Sequence, residues 1–153
     1  MKIRKVHKED SGRLIELLKN IGWFRTISHG SKTELKEKFE KHIEFCKADN
    51  SHSMYVLEDN NEIILAYISV HWMPYLFLEG PEGFISELFI RDNQRGKGIG
   101  TKLLNKVKEE AKERGCSRLS LLNGKNRESY ERRFYQKQGF IERDQMMNFI
   151  FKF

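Results

Sequence analysis

The residues best able to do chemistry stand together between Glu87 and Thr101, where the chain reads Glu-Leu-Phe-Ile-Arg-Asp-Asn-Gln-Arg-Gly-Lys-Gly-Ile-Gly-Thr. Gly96, Gly98 and Gly100 take three side chains away from a turn that opens an amphipathic helix, with apolar positions at Ile99, Leu103, Leu104, Val107 and Ala111. The first N–H groups of a helix have no partner inside it and lie at the positive end of its dipole. With the charges of Arg95 and Lys97 beside them, the backbone from Arg95 to Thr101 suits a phosphate. The bland alternative is a glycine turn that only starts a helix. Just upstream, Glu87 stands in an otherwise apolar strand, two residues from Phe89 and on the same face. Partial burial there would raise its pKa toward that of a general base, acting directly or through water; otherwise it is a carboxylate on a solvated strand face.

Other site motifs fit poorly. A Walker loop requires Gly-Lys-Ser/Thr behind an earlier glycine, and neither Gly96-Lys97 nor Gly124-Lys125 meets this. The dinucleotide fingerprint fails because Leu103 or Thr101 stands where its third glycine belongs. A Gly-x-Ser-x-Gly elbow, a His-Glu-x-x-His pair and a zinc-type cysteine pairing are all absent from the sequence. His42 and Cys46 are four apart on an expected helix and read as packing residues, so no metal is expected. Cys116, just beyond a helix, reads as an inert thiol.

At 153 residues and 39% hydrophobic content, the chain has the size of one domain, 1–153, with a real core. The start turns charged before any apolar leader could form, and the longest purely apolar run is Ile63 to Ile68, so neither a signal peptide nor a membrane span is expected. Two cysteines far apart suit reduced thiols in a cytoplasm. The net charge of +6 is uneven: residues 91–137 hold 14 Lys and Arg against 6 Asp and Glu. A polyanionic small ligand at the glycine turn accounts for that surplus without nucleic acid. Part of it is a solvated helix surface, where Lys102, Lys106 and Lys112 mix with Glu109, Glu110 and Glu113.

The elements that must position these residues follow from hydrophobic periodicity and punctuation. Residues 2–6 read as a strand, and Glu9 to Asn20 as a helix with Leu14, Leu17, Leu18 and Ile21 inward and Gly22 as its stop. Trp23 and Phe24 follow. A second helix starts at Ser31, which has capping-box spacing to Glu34, and its apolar stripe is Leu35, Phe39, Ile43 and Cys46. Met54 to Leu57 and Ile63 to Trp72 form a hairpin about Asp59-Asn60-Asn61. Gly83 to Ile90 is the strand before the glycine turn, and the helix after it ends at Gly115. Arg118 to Leu122 is a further strand, Asn126 caps a helix through Gln138, and Phe149, Phe151 and Phe153 mark a terminal strand. The result is an α/β fold with a mixed, mostly antiparallel central sheet flanked by helices, in the order β-α-α-β-β-β-α-β-α-β with room for one more strand.

Arg95, Gly98 and Gly100 match Arg-x-x-Gly-x-Gly, and Phe134-Tyr135-Gln136-Lys137-Gln138-Gly139-Phe140 matches Phe/Leu-Tyr-x-x-x-Gly-Phe. In both motifs and in element order over nearly the whole chain, the sequence resembles the GNAT superfamily of acyl-CoA-dependent N-acyltransferases. The resemblance implies acetyl-CoA as co-substrate, with its pyrophosphate on Arg95, Gly96, Lys97, Gly98, Ile99, Gly100 and Thr101. Its pantetheine arm would pair with Leu88, Phe89 and Ile90 where two strands splay apart, and an N–H near Leu88 or Phe89 would stabilise the oxyanion. Glu87 would then be the general base for an amine, and Tyr135 takes the family's general-acid position. Where many members carry asparagine and alanine, this chain has Glu128 and Glu131; Asn126, two residues earlier, is the candidate cofactor contact.

The resemblance also lets Met73 to Glu82 lie over the acceptor site, where Glu79 and Glu82 would suit a cationic amine and Trp23, Phe24, Trp72 and Tyr75 an aromatic pocket. The expected activity is acetyl transfer to a primary amine of a small molecule or peptide by direct attack in a ternary complex. The alternative is a non-catalytic acyl-CoA-binding module of the same fold. Either would be a monomer or a homodimer, with the phenylalanine-rich last strand closing its own sheet or a partner's.

Overall fold

The computed structural model describes residues 1–22 and 31–153, which divide into two compact units, residues 1–121 and 122–153. The first unit is built on five strands in spatial order β1 (Lys2–Lys5), β2 (His52–Glu58), β3 (Ile64–Met73), β4 (Glu82–Ile90) and β5 (Arg118–Leu121). Neighbours are antiparallel except β4 and β5, which are parallel. Two helices, α1 (Ser11–Ile21) and α2 (Lys32–Lys47), join β1 to β2, and α3 (Ile99–Glu113) joins β4 to β5.

Alternation along β2 sorts the helices onto two faces. Met54 and Val56 join Leu14, Leu17, Ile43 and Tyr67 in the core under α1 and α2. Their neighbours Ser53 and Tyr55 instead donate to the Glu110 carboxylate of α3, at 2.7 and 2.9 Å. With both faces covered, β3 is buried from Ile64 to Val70, which is why its sequence is apolar on both faces, apart from Ser69, rather than alternating. On the far face Leu103, Leu104 and Val107 of α3 are fully buried, as its periodicity predicts.

Glu110 corrects the expectation that it belongs with Glu109 and Glu113 to the solvated surface of α3. It is 6% exposed and also accepts two bonds from Arg114, at 2.9 and 3.0 Å. Burial pushes its pKa up, but the donors Ser53, Arg114 and Tyr55 outweigh this and hold it below the usual carboxylate range. Trp72 belongs to the same cluster: its Nε1 donates to Ser53 Oγ at 3.0 Å, and Arg114 lies over its ring. It is a core residue rather than a pocket wall.

The hairpin between β2 and β3 forms as expected, with Asp59 Oδ1 accepting from the Asn61 and Ile63 amides at 2.9 Å each. Ser31 sits at the N-cap of α2 without a side-chain cap bond, so the expected capping box is not made; the turn is closed by Leu35 N to Ser31 O at 3.0 Å. Trp23 and Phe24 lie outside the described residues.

The second unit departs further from the periodicity. Instead of one helix from Asn126 to Gln138 there are two short ones, α4 (Glu128–Glu131) and α5 (Phe134–Lys137), capped by Arg127 and Arg133. The break falls at Arg133, whose φ of +51° takes the chain out of the helix. Asn126 is therefore not the cap. No strand forms after Gly139 among the described residues, and Phe149, Phe151 and Phe153 are exposed. Period-two spacing offers one apolar face, but a strand also needs a ladder neighbour for its backbone groups.

Candidate active site

β4 carries the site because its two halves are paired differently. β5 pairs with it only from Glu82 to Ile85, whereas β3 follows it to Ile90. On the β5 side, Ser86 to Ile90 therefore has no strand partner among the described residues. Close packing fixes the paired half: a methyl group at Gly83 would overlap Leu119 and stand 2.6 Å from the Trp72 ring. The register shifts where the halves meet, since Ser69 lies opposite Glu87 and Val70 opposite Ile85, leaving Ser86 as an extra residue. Such a bulge turns both Ser86 and Glu87 toward α1 and α2.

Glu87 borders a cavity of about 310 Å3 formed between α1, α2 and strands β3 and β4. Leu14, Leu17, Leu18, Phe39, Ile43 and Phe89 supply its apolar lining, and Lys38, His42, Tyr67 and Glu87 its polar groups. Burial pushes the Glu87 carboxyl up, a hydrogen bond from Tyr67 and the nearby His42 only partly opposing it. The Tyr67 hydroxyl is itself held well above its usual range by burial and by the Glu87 charge, and its ring stacks on Phe89 at 6.3 Å. Ser86 Oγ lies 3.0 Å from His71 Nε2, and burial with the neighbouring His52 and His42 lowers the His71 pKa. A carboxyl kept from full solvation, a tyrosine that orients it and an apolar chamber are the parts needed to take a proton from an amine.

The glycine turn has the expected form. Arg91 ties the end of β4 to β3, its N donating to Leu65 O at 2.9 Å and its Nε to Ile64 O at 2.7 Å. Gly96 and Gly98 have φ of +75° and +76°, with no atoms where a Cβ would stand. α3 begins at once, and its first backbone bond runs from Lys102 N to Gly98 O at 3.1 Å. Arg95 pairs with Asp92 at 2.6 Å, and Lys97 Nζ lies 3.4 Å from Gln94 Oε1. Open space over two left-handed glycines at a helix start, with two cations alongside, fits a diphosphate.

Some expected site residues stand elsewhere. Glu82 is 5% exposed and bonded to Arg118 Nε at 2.6 Å and to Ser120, so it holds β4 to β5 and does not select an acceptor. Glu79, Tyr75 and Phe77 are exposed. Cys46 packs in the core, but its neighbour His42 is exposed and faces the cavity rather than the packing. In the second unit Tyr135 is half-buried with edge contacts to Phe134 and Phe140, and burial pushes its hydroxyl up to about 12. Among the described residues no group of three or more His, Cys, Asp and Glu is placed to hold a metal, and no helix is long and apolar enough to cross a membrane.

A mixed sheet whose β4 is left without a strand partner on one side past Ile85 among the described residues, a glycine turn suited to a diphosphate and a half-buried carboxylate on that strand are the features expected of an acyl-CoA-dependent acyltransferase. The profile of the acetyltransferase (GNAT) family matches residues 18–140, and the chain belongs to that family, whose reaction is acetyl transfer to nitrogen from acetyl-CoA. Thialysine N-epsilon-acetyltransferase of Mus musculus is 23% identical over 159 residues, 99% of this chain and 92% of that protein. Among solved structures, glucosamine-6-phosphate N-acetyltransferase from Arabidopsis thaliana superposes with a TM-score of 0.79 at 26% identity, over 99% of this chain and 98% of that one. A transcriptional regulator from Bacillus halodurans C-125 gives 0.82 at 25% identity, over 99% of each chain.

Proposed function

We propose that the chain acetylates a primary amine seated in the cavity between α1 and α2, by direct attack on acetyl-CoA in a ternary complex, with Glu87 as the proton acceptor. The observation that carries this reading is the position of Glu87 at the bulge of β4, facing the cavity and within the stretch of strand that β5 leaves uncovered. The names of the relatives, which specify acetylation at nitrogen, support an amine acceptor.

An alkylamine is protonated at neutral pH, its pKa lying near ~10.4, so it must lose a proton before its lone pair can attack. Glu87 takes that proton, with Tyr67 orienting its carboxylate. The backbone of Arg95 to Thr101 holds the diphosphate, and the edge of β4 from Leu88 to Ile90 aligns the amide-bearing arm. The Leu88 N–H donates to the carbonyl oxygen as the new C–N bond forms and charge grows there. When the C–S bond breaks, Tyr135 gives its proton to the departing thiolate. Asn126 is retained as a candidate contact to the nucleotide.

A coupled thiol-release assay with acetyl-CoA and a panel of amines tests the reading. Glu87→Gln is expected to bind CoA normally and to lower kcat by about 10² or more. Equal turnover by the double variant Glu87→Gln, Tyr135→Phe would overturn the assignment of both residues. Two free thiols, Cys46 and Cys116, suit a reducing cytoplasm.

A further inference from the structure

The lining of the cavity carries information on the acceptor beyond the amine itself. Its walls are aliphatic and aromatic, so the body of the acceptor is apolar, and about 310 Å3 accommodates a short chain or a ring. Glu87 is the single carboxylate among the described lining residues. The other two ionisable groups besides Tyr67 are basic, His42 and Lys38, both on α2. They are four residues apart on one helix face, about 6 Å along the axis. His42 is near enough to Glu87 to act on its charge. The cavity thus carries one carboxylate where the proton is taken and, on the helix wall, the ammonium group of Lys38 one turn from His42, among apolar lining.

We infer that the acceptor is an amine with an apolar body and a carboxylate at its far end, the amine at Glu87 and the carboxylate at Lys38, an inference that rests on the proposed role of Glu87. A diamine of the same length would bring a second ammonium group against Lys38. A simple alkylamine would fill the apolar chamber but leave the basic wall unpaired. The expectation that Glu79 and Glu82 together suit a cationic amine loses Glu82, which is committed to Arg118 and Ser120.

Three matched probes test this: 6-aminohexanoate, hexylamine and 1,6-diaminohexane, each assayed for thiol release from acetyl-CoA. In the wild type, kcat/KM is expected to be highest for 6-aminohexanoate, by about fivefold over hexylamine, as for one solvent-accessible ion pair, and lowest for the diamine. Lys38→Met should remove the preference through KM with kcat little altered, and Lys38→Glu should invert it in favour of the diamine. If the wild type turns over the diamine as well as 6-aminohexanoate, or if Lys38→Glu keeps the original order, the inference is overturned while Glu87-dependent turnover leaves the proposed function standing. If no probe is acetylated, the proposed reaction fails for this class of amine, and calorimetric titration of 6-aminohexanoate into the CoA complex decides the inference separately. Binding that Lys38→Glu weakens at least fivefold supports it, and absence of binding overturns it.

Discussion

Glu87 gains its character from burial, and its pH behaviour follows from the sign of that effect. Burial raises the pKa of the carboxyl in the folded chain. The rate should therefore rise with pH through a value above the usual carboxylate range, and Glu87→Gln should abolish that limb of the profile. Tyr67 donates to the carboxylate and so pulls its pKa down; Tyr67→Phe should displace the limb to higher pH, which a plot of kcat/KM against pH would register. The same shift has a stability counterpart. A raised folded-state pKa means that the stabilising contribution is complete below the unfolded pKa and is lost as pH rises through the folded one. At neutral pH the ionised Glu87 is thus a cost, and Glu87→Gln should melt no lower than the wild type. A drop of several degrees would mean that the carboxylate holds the fold together. Tyr135, with its hydroxyl at about 12, keeps its proton across the neutral range. Tyr135→Phe should lower kcat by about 10² with little change in KM for acetyl-CoA.

The elements show which sequence signals survive folding and which do not. α1 and α3 were legible because Leu14, Leu17 and Ile21, or Leu103, Leu104 and Val107, fall at helical spacing and meet a sheet. Glu87 stood out as a lone carboxylate in an apolar strand, and it borders the cavity; its role is a proposal. The bulge at Ser86 was not legible, because a bulge is a relation between two strands and leaves no periodic trace in one. Lys38 and His42 were hidden for a similar reason: they flank the stripe of Leu35, Phe39 and Ile43, and only the opposing α1 makes that flank the inside of a chamber. Glu110 looked like its acidic neighbours until β2 supplied Ser53 and Tyr55. The terminal phenylalanines alternate cleanly, yet alternation does not provide a ladder partner. At the glycine turn, Gly98 holds a left-handed conformation at the start of α3. Gly98→Ala should cost about 1 kcal/mol in a denaturant titration and raise the Kd for CoA.

For the molecule as a whole, buried charge pairs join segments distant in sequence. Arg4 binds Asp10 at 2.7 and 2.9 Å and Glu58 at 2.7 Å, linking β1, the start of α1 and β2. Arg114 and Glu110 do the same for α3 and β2, with Arg114 also donating to Asn50 O at 3.0 Å. At Asp10 burial is outweighed by Arg4 and the His7 amide, and at Glu58 Arg4 dominates, so both carboxyls, like Glu110, sit below their usual range. Depressed folded-state values contribute stability above the unfolded pKa and lose it as pH falls through the folded one. The melting temperature should therefore decline below about pH 4. Arg114→Met should cost about 2 kcal/mol at pH 7, and less as the pH falls and Glu110 takes up a proton. The end of β5 opposite Ile85 sets a limit on improving the protein. Knitting the two strands together past Ile85 would tighten the sheet, yet on the proposed reading every added rung would occupy a place kept for an incoming arm. On the same reading the uncovered edge that weakens the sheet is also the doorway, and a sturdier variant made by closing it is expected to be a sealed one.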